Sequence, residues 1–236
     1  FDYELQLVNG LDPQGFRSED WIKNGRQGAF EVNNFTSPAF VARVNYHGVK
    51  GLRVGASFYY NQTAKNGTKP WRNTGYKFPV TIVTGDLQYK GFNNNLIVRG
   101  NAVYGNLGAS GALTTINNSS SAASGYPNTT VAQNAVSYGG EAGYNIGSFF
   151  HSKAPRIYPF IRYEYYNPME KTEANTGLLA DKRFQVSAVT AGLNYYALPN
   201  LVIKADYTHR SIGGGKYNDE NLVSVGIAYI GWFIKK

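Results

Sequence analysis

The chain has 236 residues, no cysteine, one methionine, 27 glycines, 19 tyrosines, 16% charged residues and a formal net charge of +8. The lack of cysteine excludes a disulfide scaffold, a thiolate metal site and a cysteine nucleophile. No run approaches the eighteen or so apolar residues of a membrane helix, yet a mean hydropathy of −0.36 does not exclude a membrane, because only alternate residues of a membrane strand meet lipid.

Tyrosine and glycine in these amounts suit strands and turns better than helices. Residues 1–8 alternate at once, with Phe1, Tyr3, Leu5 and Leu7 against Asp2, Glu4 and Gln6. Opening inside a strand leads us to expect that further strands precede this stretch. A polar loop runs from Asn9 to about Ser37, and a second strand at 39–47 sends Phe40, Ala42, Val44 and Tyr46 one way and Val41, Arg43, Asn45 and His47 the other. After the turn at 48–51, a third strand at 52–61 opposes Leu52, Val54, Ala56, Phe58 and Tyr60 to Arg53, Gly55, Ser57, Tyr59 and Asn61. A loop at 62–76 leads to a fourth strand within 80–90 (Val83, Leu87 and Tyr89 against Asp86, Gln88 and Lys90), then a short turn and a fifth at 95–104 (Leu96, Val98, Ala102 and Tyr104 against Arg99 and Asn101). Ile97 and Val103 blur that polar face.

Residues 105–134 form the longest connection, and the run Asn117-Asn118-Ser119-Ser120-Ser121 reads as a mobile surface excursion. Strand six, at 136–146, opposes Tyr138, Ala142, Tyr144 and Ile146 to Glu141 and Asn145. The seventh, at 156–166, puts Ile157, Ile161, Tyr163 and Tyr165 on one face and Tyr158, Phe160, Arg162, Glu164 and Tyr166 on the other. A polar loop at 167–183 precedes strand eight (184–196), and a turn at 197–200 leads to strand nine, where Leu201, Ile203, Ala205 and Tyr207 oppose Lys204, Asp206, Thr208 and Arg210. A glycine-rich stretch at 211–220 ends in strand ten, with Val223, Val225, Ile227, Tyr229 and Phe233 against Ser224, Gly226 and Ala228.

Ten strands whose connections alternate long and short place all long loops at one end of an antiparallel sheet. A soluble Greek-key sandwich has no reason to keep that asymmetry, whereas a transmembrane barrel does. We therefore expect an all-β, antiparallel transmembrane β-barrel, a single domain over 1–236 with at least ten strands, forming the C-terminal part of a larger barrel. Tyr60, Tyr104, Tyr138, Tyr144, Tyr195, Tyr207, Tyr229 and Phe233 lie near strand ends on the apolar face, as a lipid-facing aromatic girdle would.

The polar faces give a pore lining of Arg43, Arg53, Asp86, Lys90, Arg99, Glu141, Arg162, Glu164, Lys204, Asp206 and Arg210, with Asp2 and Glu4 on the first strand. Interleaved signs align polar solutes without strongly excluding either ion, and they can also pair with one another: Arg162 with Glu164, Lys204 with Asp206, Arg99 with Glu141. The surplus positive charge falls in loops, at Arg17, Lys23, Arg26, Lys65, Lys69, Arg72 and Lys77, where it would attract anions or lipopolysaccharide phosphates. A closed barrel of only ten strands would be nearly filled by such side chains, so an open lumen needs more strands.

Nothing points to catalysis. His47 and His151 belong to the short-turn end and His209 to the long-loop end, and no Gly-x-Ser-x-Gly elbow, P-loop or His-Glu-x-x-His occurs. No cofactor or metal is expected: the pairs Glu19-Asp20 and Asp219-Glu220 lack the spaced ligand series of a calcium loop. Nucleic acid is not an expected partner, because no basic patch coincides with stacking aromatics.

Four segments carry a resemblance: Leu7-Val8-Asn9-Gly10-Leu11-Asp12, Gly51-Leu52-Arg53-Val54-Gly55-Ala56-Ser57, Tyr158-Pro159-Phe160-Ile161-Arg162-Tyr163-Glu164 and Leu201-Val202-Ile203-Lys204-Ala205-Asp206-Tyr207. In that order they resemble the later half of Gram-negative outer-membrane porins related to the phosphate-selective porin O and P group. The resemblance implies a passive diffusion channel for ions and small hydrophilic solutes in the outer membrane, embedded among lipid and lipopolysaccharide, as a homo-oligomer or part of an envelope complex. The alternative is a non-conducting barrel whose long loops bind a partner. Such barrels usually finish on an aromatic residue, whereas here Phe233 is followed by Ile234-Lys235-Lys236.

Overall fold

The computed structural model describes residues 1–27, 35–66, 75–124, 129–150 and 155–229. Its strands are β1 (Asp2–Val8), β2 (Ala39–Tyr46), β3 (Leu52–Gln62), β4 (Pro79–Gly91), β5 (Leu96–Leu107), β6 (Asn134–Tyr144), β7 (Arg156–Lys171), β8 (Val186–Leu198), β9 (Leu201–Ile212) and β10 (Asp219–Tyr229). They form one antiparallel sheet in sequence order, β1 through β10, and among the described residues β1 and β10 do not pair, so the sheet is open. No helix among the described residues is long and apolar enough to cross a membrane.

Register gives the sheet two chemically distinct faces, since a one-residue slip in any strand would turn its whole apolar set over. On the outward face Phe40, Val83, Tyr104 and Ile161 stay 41, 50, 51 and 59% exposed, with no second sheet laid over them among the described residues. The inward face carries most of the strands' charged residues, among them Arg43, Asp86, Arg99, Glu141 and Arg162.

Several boundaries differ from the sequence reading, β5 running on to Leu107 and β6 starting at Asn134 among them, and one segment differs in kind. Ile146 belongs to a single 3-10 turn (Ile146–Phe149), as does Phe184 (Lys182–Phe184), and β7 runs five residues past Tyr166 through an irregularity in its pairing with β6. The long-and-short alternation weakens late in the chain: β9 and β10 are joined by only six residues, while eleven separate β6 from β7. The segment read as a mobile excursion contains a helix, α1 (Ser110–Ser124), and contributes Leu113, Val131 and Ala132 to a buried core.

That core is a cap on the inward face at the long-connection end. Phe16 and Trp21 from the first connection, Ala64 and Phe78 from the second, Leu113, Val131 and Ala132 from the third, and Met169 of β7 close over Val80 and Leu107. Tyr59, Val80, Ile82 and Leu107 share the face of Arg53, Asp86 and Arg99, so the polar side of the wall turns apolar where the cap lands. Six such large side chains contribute about 1.5–3 kcal/mol each on burial, and that burial holds these otherwise polar connections against the wall. The buried amides of Asn61 and Asn66 clamp the first connection: Asn61 Oδ1 accepts from the Leu11 N–H at 2.8 Å, and both amides donate to the Ser37 carbonyl. The Glu173 carboxylate accepts from the Gly111 N–H at 2.6 Å, placing negative charge at the start of α1, where the helix dipole favours it.

Trp21 is the pin of the cap. It holds φ +54°, an uncommon value for a bulky residue, and its Nε1–H donates to the Ala132 carbonyl at 3.0 Å. Its ring rests on Gly105, where an added Cβ would stand 2.1 Å from Cη2. Gly105→Val should therefore lift the first connection off the wall at a cost of about 1–3 kcal/mol. The expected readout is trypsin cleavage at Arg17 and Lys23 about tenfold faster, with the strand signal in circular dichroism unchanged.

Beside Trp21, burial pushes the Asp20 carboxyl up from its ordinary pKa, and its Oδ1 is buried without a partner. A carboxyl raised in the folded state binds its proton more readily than in the unfolded chain, so it destabilises the cap at neutral pH and ceases to do so as pH falls through its folded pKa. Asp20→Asn should raise the unfolding midpoint at pH 7, with the gain shrinking as pH falls and gone by about pH 3, below the unfolded carboxyl's range, followed by tryptophan fluorescence in detergent.

Candidate functional site

The inward face below the cap is the candidate site. Arg43, Arg53, Asp86, Lys90, Arg99, Glu141, Arg162, Glu164, Lys204, Asp206 and Arg210 all fall on it, because each occupies the strand parity opposite the apolar set. Arg53, Arg99, Glu141 and Arg162 occupy one hydrogen-bonded row that continues into Thr190 and Thr208. Asp86, Asn101, Glu164, Arg210 and Glu220 occupy the next row toward the cap. A recess of about 380 Å³ lies between the two rows where Gly139 leaves the inward wall bare.

Most of these charges are paired. Arg43 reaches Asp86 at 2.7 Å and Arg53 reaches the same carboxylate at 3.5 Å. Arg99 meets Glu141 at 3.5 Å, Arg162 meets Glu164 at 3.5 Å, and Arg210 meets Glu220 at 2.6 Å while donating to Tyr166 Oη. The two pairings expected at Arg162 and Arg99 are formed; among the described residues Lys204 and Asp206 make no ion pair. The side chains are a quarter to three-fifths exposed, so each pair contributes on the order of 0–1 kcal/mol, and their effect is to fix where charge sits.

The Arg43–Asp86 bridge spans a whole strand, from β2 to β4 across β3. Gly55 makes the span possible: a Cβ there would lie 2.3 Å from Arg43 Nη2 and 2.6 Å from Asp86 Oδ2. Ser57, two residues on, accepts from Arg43 Nη1 at 2.9 Å and steadies the guanidinium. Gly55→Ala should push the flexible tips apart with little effect on folding. A double-mutant cycle between Arg43→Met and Asp86→Asn, read from unfolding midpoints, should give about 0.5–1 kcal/mol of coupling in the parent and none in the Gly55→Ala background.

On the outward face the tyrosines form two lines. Tyr46, Tyr89, Tyr144, Tyr195 and Tyr229, on β2, β4, β6, β8 and β10, mark the short-turn end, each standing two residues farther toward that end than the one before. Tyr60, Tyr104 and Tyr165 on β3, β5 and β7 mark the other end with the same step, Tyr138 pairs with Tyr165, and Tyr207 on β9 falls four residues lower. A step of one residue per strand, at about 3.3 Å rise and about 4.8 Å spacing, corresponds to strands tilted by about 35°, the inclination of membrane barrels. About seven residues separate the lines, roughly 19 Å of height at that tilt. Several hydroxyls find polar partners: Tyr104 Oη accepts from Asn134 Nδ2 at 2.8 Å and Tyr207 Oη donates to Asn221 at 2.6 Å. The sequence reading named Tyr60, Tyr104, Tyr138, Tyr144, Tyr195, Tyr207 and Tyr229, all of which lie on this face, and Phe233 lies outside the described residues. It missed Tyr46, Tyr89 and Tyr165, whose membership follows only from register.

His47 pairs with Asp2 at 2.6 Å, while His209 of β9 lies 3.0 Å from its ladder partner Asn221 of β10; His151, Lys69 and Arg72 lie outside the described residues. Among the described residues no three His, Cys, Asp or Glu side chains gather as a metal-binding group. No family model and no curated protein matches the chain.

Proposed function

We propose that this chain is a wall of a transmembrane β-barrel in the outer membrane of a Gram-negative bacterium, and that the barrel is a porin passing ions and small hydrophilic solutes by diffusion. One observation carries the reading: an uncovered apolar face lies between two lines of tyrosine that step evenly from strand to strand, back to back with a face of paired charges. Hydrocarbon suits the first face and water the second. The free ladders of β1 and β10 need partners in a bilayer, where an unpaired backbone group costs several kcal/mol, so further strands complete the barrel. Cationic Arg17, Lys23, Lys65 and Lys77 in the long connections give the outer mouth an anion preference and a contact for lipopolysaccharide phosphates.

A second reading is favoured by the cap. A packed core on the inward face at the long-connection end is what a closed scaffold would use to block its lumen, with the connections left to bind a partner in an envelope complex. Planar-bilayer recording separates the two. The channel gives stable open currents whose reversal potential in a salt gradient moves toward cation selectivity in Arg162→Glu and Lys204→Glu. No current from inserted protein would discard the channel in favour of the scaffold, and open currents with unchanged reversal potentials would discard Arg162 and Lys204 as pore lining.

A further inference from the structure

The tyrosine lines give a height scale, and on that scale the inward charges fall into place. Every even-numbered strand carries, at or near its short-turn end, a five-residue stretch closing on an outward tyrosine: Ala42-Arg43-Val44-Asn45-Tyr46, Gly85-Asp86-Leu87-Gln88-Tyr89, Gly140-Glu141-Ala142-Gly143-Tyr144, Ala191-Gly192-Leu193-Asn194-Tyr195 and Val225-Gly226-Ile227-Ala228-Tyr229. In each, a tyrosine faces outward and the inward residue three places before it is Arg43, Asp86, Glu141, Gly192 or Gly226. Hydrogen-bonded rows hide this regularity, because Arg43 and Asp86 occupy different rows. Measured from the tyrosines, they stand at one height.

The odd-numbered strands agree. Carrying the one-residue step onto them puts the same height at the outward residues Leu5, Ala56, Gly100, Ile161 and Ala205, with inward residues immediately on either side. Those neighbours include Glu4, Arg99, Arg162, Lys204 and Asp206, while β3 offers Gly55 and Ser57. The bridges run along this level: Arg43 to Asp86 over Gly55, and Arg99 to Glu141. Lys90, one residue beyond Tyr89, lies at the short-turn rim, and Arg210 lies toward the cap.

We infer that Glu4, Arg43, Asp86, Arg99, Glu141, Arg162, Lys204 and Asp206 form a level belt of alternating charge about halfway through the membrane, and that this belt sets the ion balance of the path. It holds four charges of each sign, and the strands without a charge there present glycine or serine, which leaves room between them. A belt of zero net charge attracts neither ion strongly; its transverse fields favour dipolar solutes. The belt deepens the channel reading and rests on it, and its test separates the two.

The chain has no cysteine, so single cysteines at the outward residues of belt height can carry a nitroxide in lipid vesicles. Ala42→Cys, Gly140→Cys and Ala205→Cys should report depths within about 5 Å of one another, near the bilayer centre. If height followed the hydrogen-bonded rows, labels at Ala42 and Ala205 would differ by eight residues, about 26 Å along the strand. In a potassium chloride gradient, Arg99→Gln should shift the reversal potential toward cations and Glu141→Gln toward anions by a similar amount, with Lys90→Gln moving it less than a third as far. Spread depths overturn the belt even if current flows, and Lys90→Gln matching Arg99→Gln overturns it even if the depths agree. Level depths with no current overturn the channel reading, and with it the belt's control of ions.

Discussion

Register is the constraint on which the rest depends. Each ladder joins a strand to its neighbour at a fixed offset, and because side chains alternate, that offset decides both which face a residue occupies and at what height it stands. A slip of one residue at β3 would turn Arg53 outward and Phe58 inward. A slip of two would keep the faces and break the line from Tyr60 to Tyr104. The tyrosine steps, the Arg43–Asp86 bridge across β3 and the seating of Trp21 on Gly105 are mutually consistent only in the observed register.

Within that frame, glycine does the spacing on the inward face. Gly55 is empty so that a guanidinium and a carboxylate meet over it, and Gly105 is empty so that an indole can land. The outward face uses small residues differently: Ala42, Ala56, Gly85, Gly100, Gly140, Ala191 and Ala205 lie midway between the tyrosine lines, with larger Val44, Phe58, Leu87 and Leu193 displaced toward the margins. On those seven strands the small residues back onto the level of the charged belt, while Leu5 and Ile161 keep bulk at that height on β1 and β7.

Much of this was legible in the chain. Period-two alternation located ten strands and assigned inner and outer faces to residues such as Arg162 and Ile161, because a strand buried on neither face by protein still separates its two solvents. What escaped was tertiary. Residues 105–134 have the composition of a flexible loop, yet Leu113 and Ile116 stand one helical turn apart and Val131 follows, too few apolar residues to signal a helix without the surface that buries them. Val103 looked like noise on a polar face; with Tyr59, Val80, Ile82 and Leu107 it fits a wall whose upper part receives a cap, whereas Ile97 lies at the opposite, short-turn end beside Lys90. The common height of Arg43, Asp86 and Glu141 also escaped, since it exists only relative to tilted strands.

Cap and belt act on different parts of one face. The cap uses burial, so its position is sensitive to single steric changes and indifferent to salt; the belt uses exposed pairs worth little individually, so its position is set by the strands and its field is screened by salt. On the proposed channel reading, a solute approaching from the long-connection end meets Glu19, Asp20 and Lys23 beside Trp21 first, around a recess of about 400 Å³ that reaches Tyr166. Beyond it lies the balanced belt. An anion preference arising from loop cations would then be a property of the mouth alone, lost at high ionic strength, while preference among neutral solutes would be decided deeper, by dipoles fitting between Arg99, Glu141 and Arg162.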